Sequence, residues 1–237
     1  MRIAVLNFSG NVGKSTVARH LLLPRLPGAE LVAIESVNDH DGAPQALRGR
    51  QFGELQEYLQ AVDSAVIDVG ASNVEELLAL MHRYRGSHED IDCFVVPTVP
   101  ALKQQRDTIA TLLEMGRIGV PASRLRLVFN MVEDDMEVAR AFEHVLAFLE
   151  QHPLALANPA CRLGVNEIYA RVRHDGQDLR SLANDTTDYK ALIAKTKDTA
   201  EKLALARQLA NRRLATGVVP ELDACFEALD LRACALA

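Results

Sequence analysis

From Phe8 to Thr16 the chain reads FSGNVGKST, between an apolar run at Ile3 to Leu6 and a helical pattern from Val17 to Leu23. Residues of these types in this order fit a phosphate cradle. A strand delivers a loop whose backbone N–H groups face anionic oxygens, and the following helix aims its positive end at them. In such a cradle Gly10, Asn11, Val12 and Gly13 present N–H groups, and Lys14 neutralises β- and γ-phosphate charge. Ser15 ligates Mg²⁺, and Thr16 touches the α-phosphate. Against the pattern GxxxxGK(S/T) the loop has one defect, because Phe8 stands where the first glycine belongs. Two other readings start from the same residues. One is an ordinary strand-to-helix turn; the other is a dinucleotide loop reduced to Gly10 and Gly13, with Glu35 placed to grip a ribose. Lys14 followed by Ser15 favours the triphosphate, since a dinucleotide fold has no use for that pair.

A triphosphate site also needs an acid opposite the cradle to organise Mg²⁺ and its waters. Asp68 qualifies: it ends the apolar run Ala65-Val66-Ile67 and precedes the small residues Gly70-Ala71-Ser72. A carboxylate there also suits capping of the next helix. Hydrolysis needs a group to position water, and Asp39 and Asp41 are the candidates in the stretch Glu35 to Gly42, although Asn, Asp and Gly also make ordinary turns. Asn130 ends the run Leu125 to Phe129, and its amide can donate and accept together, as adenine recognition requires; an asparagine after a strand also starts turns. The seven histidines form no HExxH or other metal spacing and read as surface or core residues.

The elements that must hold these groups alternate. Apolar runs at Ile3 to Leu6, Leu31 to Ile34, Ala65 to Val69, Cys93 to Val96 and Leu125 to Phe129 predict strands. Helical spacing at Gln45 to Leu59, Val74 to Tyr84, Leu102 to Met115 and Met136 to Leu149 predicts the crossovers. The expected fold is α/β: a three-layer P-loop NTPase-like arrangement with a mainly parallel sheet, helices on both faces and a helical C-terminal addition. A short strand is expected at Cys161 to Val165, then a turn-rich stretch from Arg171 to Asp188, then helix interrupted at Gly217 and Pro220. With 237 residues, 49% of them hydrophobic, one domain is expected, with a nucleotide-binding core over 1–170 and an extension over 171–237. The four cysteines show no CxxC spacing and no secretory signal is evident, so a reducing cytoplasm without disulfides is expected. No apolar run is long enough for a transmembrane span. The net charge of −6 argues against a uniformly basic nucleic-acid binder.

With cradle, acid and asparagine in that order, residues 1 to about 170 resemble the ParA/MinD family of P-loop ATPases. The segments that carry the likeness are SGNVGKST, DSAVIDVGAS (Asp63 to Ser72), VVPTVPALKQQRDTIATLLEMG (Val95 to Gly116) and LVFNMV (Leu127 to Val132). The opening MRIAVLNFSGNVGKSTVARHLL looks closest to the StbB-type plasmid stability proteins of conjugative plasmids. This resemblance implies an ATP- and Mg²⁺-dependent switch for plasmid stability, partition or transfer, with an ATP-driven homodimer and a small DNA-binding adaptor. Its site would be the cradle with Lys14, the metal ligands Ser15 and Asp68, and Asn130 on adenine. The chain departs from the family at two places. Ser9 occupies the position of the early lysine that reaches a partner's nucleotide, and Asn11 replaces a glycine. The aspartate-rich DxDPQ segment aligns only loosely, with Glu35 and Val37 for its two acids, which leaves the catalytic acid open between Asp39 and Asp41 and predicts slow or partner-stimulated hydrolysis.

From Tyr189 to Arg213 seven cations face two acids, Asp198 and Glu201. A helix of that charge suits non-specific DNA contact, and a nucleoid-associated location within the cytoplasm would follow; a solvated helix face is the plainer reading. A P-loop phosphotransferase, for which Arg171 and Arg173 would serve as a lid, and a nucleotide-bound scaffold without appreciable hydrolysis are the alternatives.

Overall fold

A computed structural model of the chain describes residues 1–34, 37–38, 44–45, 49–173 and 177–235, with the backbone alone for 37–38, 44–45, 49–50 and 235. Its strands are β1 (Arg2–Val5), β2 (Glu30–Ile34), the two-residue pair β3 (Val37–Asn38) and β4 (Pro44–Gln45), β5 (Ala65–Val69), β6 (Cys93–Thr98), β7 (Leu125–Val132) and β8 (Arg162–Gly164). The helices are α1 (Lys14–Thr16), running on as a π-helix over Val17–Leu22, then α2 (Gly49–Ala61), α3 (Ala71–Arg83), α4 (Leu102–Ile118), α5 (Val138–Ala141) and α6 (Glu143–Gln151). After β8 come α7 (Ile168–Val172), α8 (Leu179–Ala183), α9 (Tyr189–Lys195), α10 (Thr199–Ala228) and α11 (Leu231–Ala235).

Six strands form one sheet in the order β2-β5-β1-β6-β7-β8, every neighbouring pair parallel. Alternation along each strand splits the apolar side chains between two faces. Ala4, Ile67, Phe94 and Phe129 enter a core covered by α2, α3, α4 and α6. Ile3, Val5, Val66, Val95 and Val128 enter the other, covered by the helix after the loop, α7 and the C-terminal half of α10. The predicted three-layer α/β fold with a helical C-terminal addition is the one observed. The chain leaves β1 toward β2 and β5, and later crosses to β6 and β7, so the strand order reverses beside β1. Ligands bind at that crevice in open α/β sheets, and the loop from Asn7 to Gly13 lies in it.

Several boundaries differ from the sequence expectation. The predicted helix from Gln45 begins at Gly49, because Gln45 pairs with Val37 in the small hairpin. The helix expected over Met136 to Leu149 is two, divided at Phe142 (φ −116°, ψ 25°), whose fully buried ring meets Phe129 at 4.8 Å. The expected turns between Arg171 and Asp188 include α8, capped by the Asp178 carboxylate on the N–H groups of Arg180 and Ser181. No interruption occurs at Gly217 or Pro220: α10 runs unbroken through both. Proline removes one helical hydrogen bond, and burial of Ala215, Val218, Leu222 and Cys225 around it holds the helix together.

α10 is also tied to the helix after the loop. Arg25 donates to the carbonyls of His20 and Leu21 and to the Asp223 carboxylate at 2.8 Å, and Arg180 bonds the same Asp223 oxygen at 2.7 Å. Among the described residues no helix is long and apolar enough to cross a membrane.

Candidate functional site

The loop between β1 and α1 has two residues in the left-handed region, Asn11 at φ 57° and Gly13 at φ 85°. Asparagine is among the residues that tolerate this region, so Asn11 adopts a conformation for which a glycine is the usual choice. Gly13 has a further reason to lack a side chain, because a Cβ there would sit 2.0 Å from Nδ2 of Asn130. That amide is buried and donates to the Val12 carbonyl at 2.9 Å. Asn130 thus braces the loop with one of its amide hydrogens. It sits where the β7–β8 register shifts between Phe129 and Val132, and the next residue, Met131, has φ 57° and is 41% exposed. Such irregularities re-aim side chains beside functional sites.

Lys14 is 8% exposed and turned back into the loop, its Nζ donating to Ser9 O at 2.7 Å and Asn7 O at 3.2 Å. Burial lowers its pKa from the ordinary lysine value, and the Asp68 carboxylate acts in the opposite direction. Asp68 itself is 4% exposed on β5, facing the loop across the β1–β5 pairing. Ser15 is exposed at the start of α1 and Thr16 half-buried. The structure therefore brings together the predicted cradle, Lys14, Ser15, Thr16, Asp68 and Asn130. Asp39 and Asp41 lie outside the described residues. Among the described residues no group of three or more His, Cys, Asp or Glu side chains forms a metal cage.

Over α1 opens a cavity of about 930 Å³. Gly13 to Thr16 line it together with Gly70, Ala71, Met131, Tyr169, Ala170 and Arg173, as do Arg19, His20 and Arg180. The His20 and Tyr169 rings meet at 5.7 Å. Burial lowers the His20 pKa, helped by Arg19 and opposed by Asp178. Burial likewise pushes the Tyr169 phenol up, and among the described residues its hydroxyl has no hydrogen-bond partner. Helix N-terminus, glycine loop, buried lysine and cavity together can take a polyphosphate at one end and an extended, partly apolar group at the other.

No protein-family model and no curated protein matches this chain. Among solved structures, apo McdA from Cyanothece aligns over 98% of each chain with a TM-score of 0.56 at 14% identity. The two share a fold. An ATP complex of a McdA variant from Cyanothece has a TM-score of 0.48 at 14% identity, over 92% of this chain and 97% of that one. MinD, a cell division protein of Aquifex aeolicus, has a TM-score of 0.48 at 14% identity, over 90% and 96%.

The likeness to McdA concerns the path of the chain; the side chains that hold the loop are read from this structure itself. Sequence reasoning missed most of them. Asn7 donates to Pro97 O at 2.9 Å and Thr108 Oγ1 at 2.8 Å and accepts from the Ser9 N–H at 2.8 Å, while Thr111 Oγ1 accepts from the Phe8 N–H at 3.1 Å. Ser9 is 3% exposed and lies beside the Asp107 carboxylate. Lys103, at 2.8 Å, and then Ser9 hold that carboxyl below the usual range, against the effect of burial. Thr108 and Thr111 of α4 thus clamp Asn7 and Phe8 of the loop, with Asp107 of the same helix beside Ser9. The signal was present: Gln105, Thr108 and Thr111 share the helix face that buries Leu112 and Met115, so these polar groups had to find partners inside. We expect Asn7→Ala to cost about 2–4 kcal/mol of stability and Thr111→Val about 1–2 kcal/mol in urea unfolding, since each leaves buried groups unsatisfied.

Proposed function

We propose that this protein is a Mg²⁺-ATP-binding switch with slow or partner-stimulated ATP hydrolysis. It would act as an ATP-dependent homodimer with a small DNA-binding adaptor, in plasmid stability, partition or conjugative transfer, a role in keeping with the likeness of its opening segment to StbB-type plasmid stability proteins. Lys14 carries the reading. Among the described residues its buried ammonium donates to two loop carbonyls, with the Asp68 carboxylate acting on it, at the mouth of a helix N-terminus, and a β,γ-phosphate offers it charged acceptors. Gly10 to Gly13 would supply N–H groups, Thr16 would meet the α-phosphate, Ser15 and Asp68 would hold Mg²⁺ or its waters, and the base would lie toward Met131 and Tyr169, beside Asn130. Bound Mg²⁺ would neutralise charge on the phosphate oxygens. In hydrolysis water adds to the γ-phosphorus and gives up a proton, the bond to the β,γ-bridging oxygen breaks, and ADP and phosphate leave. Asp39 or Asp41 would position that water.

For DNA contact the cations are not equivalent. Lys190, Lys195, Lys197, Lys202, Arg207 and Arg213 are exposed. Arg212 instead donates to the carbonyls of Asp185 and Thr187 and lies 5.2 Å from the Tyr189 ring centre, so its work is structural. Replacing Lys195, Lys197, Lys202 and Arg207 by alanine should lower non-specific duplex retention roughly tenfold or more at moderate salt and flatten the salt dependence. Unchanged retention would remove DNA from the proposal.

A second reading has one observation in its favour. Arg173 and Arg180 both line the cavity that Lys14 enters, as a phosphotransferase acting on an anionic acceptor would require. Binding of ATP, GTP and NAD, with turnover followed with and without DNA, separates the possibilities. We expect Mg²⁺-dependent ATP binding, DNA-stimulated phosphate release, and loss of the Mg²⁺ dependence in Asp68→Ala. Preferential NAD binding indifferent to Asp68→Ala would sink both triphosphate readings.

A further inference from the structure

Two cysteines far apart in the chain meet at the N-terminal end of the sheet's strands, the end opposite the loop. Cys93 opens β6 and Cys234 lies in α11, 141 residues later. Their sulfurs are 2.6 Å apart, both side chains are fully buried, and both are free thiols. This meeting is built by the surrounding residues. Asp230, at φ 45°, turns the chain between α10 and α11. Arg126, buried on β7, donates to Leu229 O at 2.8 Å and Asp230 O at 3.4 Å and so fixes that corner. Leu229 and Leu231 then pack into the same core as Cys93. The last helix is thereby folded back on the sheet with one sulfur against another.

We propose that Cys93 and Cys234 are a redox pair that a low-molecular-weight disulfide, such as oxidised glutathione, converts into an intramolecular disulfide latching α11 to β6. Cys234 is the attacking sulfur. It belongs to a five-residue helix outside the sheet, which opens more readily than β6, a strand paired on both sides, and the hydrogen bond from Cys93 lowers its pKa while that of Cys93 is raised. Cys234 loses its proton and its thiolate attacks one sulfur of the oxidant, breaking the oxidant's S–S bond and releasing one thiolate. Cys93, deprotonated in turn, attacks Cys234 Sγ in the mixed disulfide and expels the second thiolate. Two electrons pass from the protein sulfurs to the oxidant, and the two protons end on the released thiols. Cys161, pushed up to about 11 by burial, and Cys225, raised by burial as well, stay as thiols.

The full chain is incubated with oxidised glutathione or with dithiothreitol, acid-quenched, denatured and alkylated, and its intact mass and peptides are read. Reduced protein should take four alkyl groups. Oxidised protein should take two, with peptides 93 and 234 cross-linked, and its melting midpoint should rise by several degrees, a shift absent in Cys234→Ser. Cys161→Ser should leave the cross-link intact. Because both sulfurs are buried, oxidation is repeated in urea below the unfolding midpoint, where α11 can open. Four alkylated cysteines under both conditions, glutathione adducts without the cross-link, or a link through Cys161 or Cys225 would each overturn the proposal.

Discussion

Lys14→Ala is expected to weaken Mg²⁺-ATP binding by roughly 10²- to 10⁴-fold, about 3–6 kcal/mol, the worth of two charge-assisted hydrogen bonds to phosphate oxygens. The estimate follows from where the ammonium now sits. Among the described residues Nζ donates to neutral carbonyls, at 2.7 and 3.2 Å, and an anionic phosphate oxygen is a stronger acceptor than either. Asp68 keeps it charged in a site where burial works the other way. The substitution also leaves Asn7 O and Ser9 O without this donor, a cost to stability of about 1 kcal/mol that urea unfolding measures separately. Calorimetric titration with a slowly hydrolysed ATP analogue reads the affinity. A variant that binds within threefold of the wild type would mean that the triphosphate, if it binds at all, binds elsewhere.

Gly13→Ala should be as damaging by another route. A left-handed backbone at φ 85° costs a non-glycine residue about 1–3 kcal/mol, and the new Cβ would meet Asn130 Nδ2 at 2.0 Å, an overpacking of about 1–3 kcal/mol. The loop can relieve the clash only by releasing the brace on Val12. The prediction is therefore a loss of about 2–6 kcal/mol in stability or of the cradle's shape, seen as a lowered unfolding midpoint together with lost ATP binding. The double variant Gly13→Ala with Asn130→Ala separates the two costs: removing the amide should recover the steric part and leave the backbone part. Wild-type stability and affinity in Gly13→Ala alone would show that the loop is not held as described.

The central strands were legible because each is an unbroken apolar run buried on both faces, a pattern that helices on opposite sides of a parallel sheet impose. The loop was legible from residue type. The clamp on it was not: Thr108 and Thr111 look like a solvent face until the apolar residues beside them are seen to be buried too. The bond from Asn130 to the Val12 carbonyl was not legible, because a strand-end amide reads the same in sequence whether it faces a base or a carbonyl. Pro220 read as a break because local propensity was weighed without the packing that overrides it. The cysteine pair was invisible, since spacing in sequence does not encode pairing in space.

α10 spans 30 residues without a break, about 45 Å of helix. Its last turns are core, and Asp223 joins it to Arg25 at the foot of the helix that begins at Lys14. Its first turns, from Thr199 to Gln208, carry almost wholly exposed side chains, Leu203 at 64% among them. The two ends belong to one stiff rod. A load applied at Lys202 or Arg207 is therefore carried along the rod to Asp223 and Arg25, at the foot of the helix that follows the Asn7–Gly13 loop. The molecule has the mechanics of a pointer, with its pivot at a shared carboxylate.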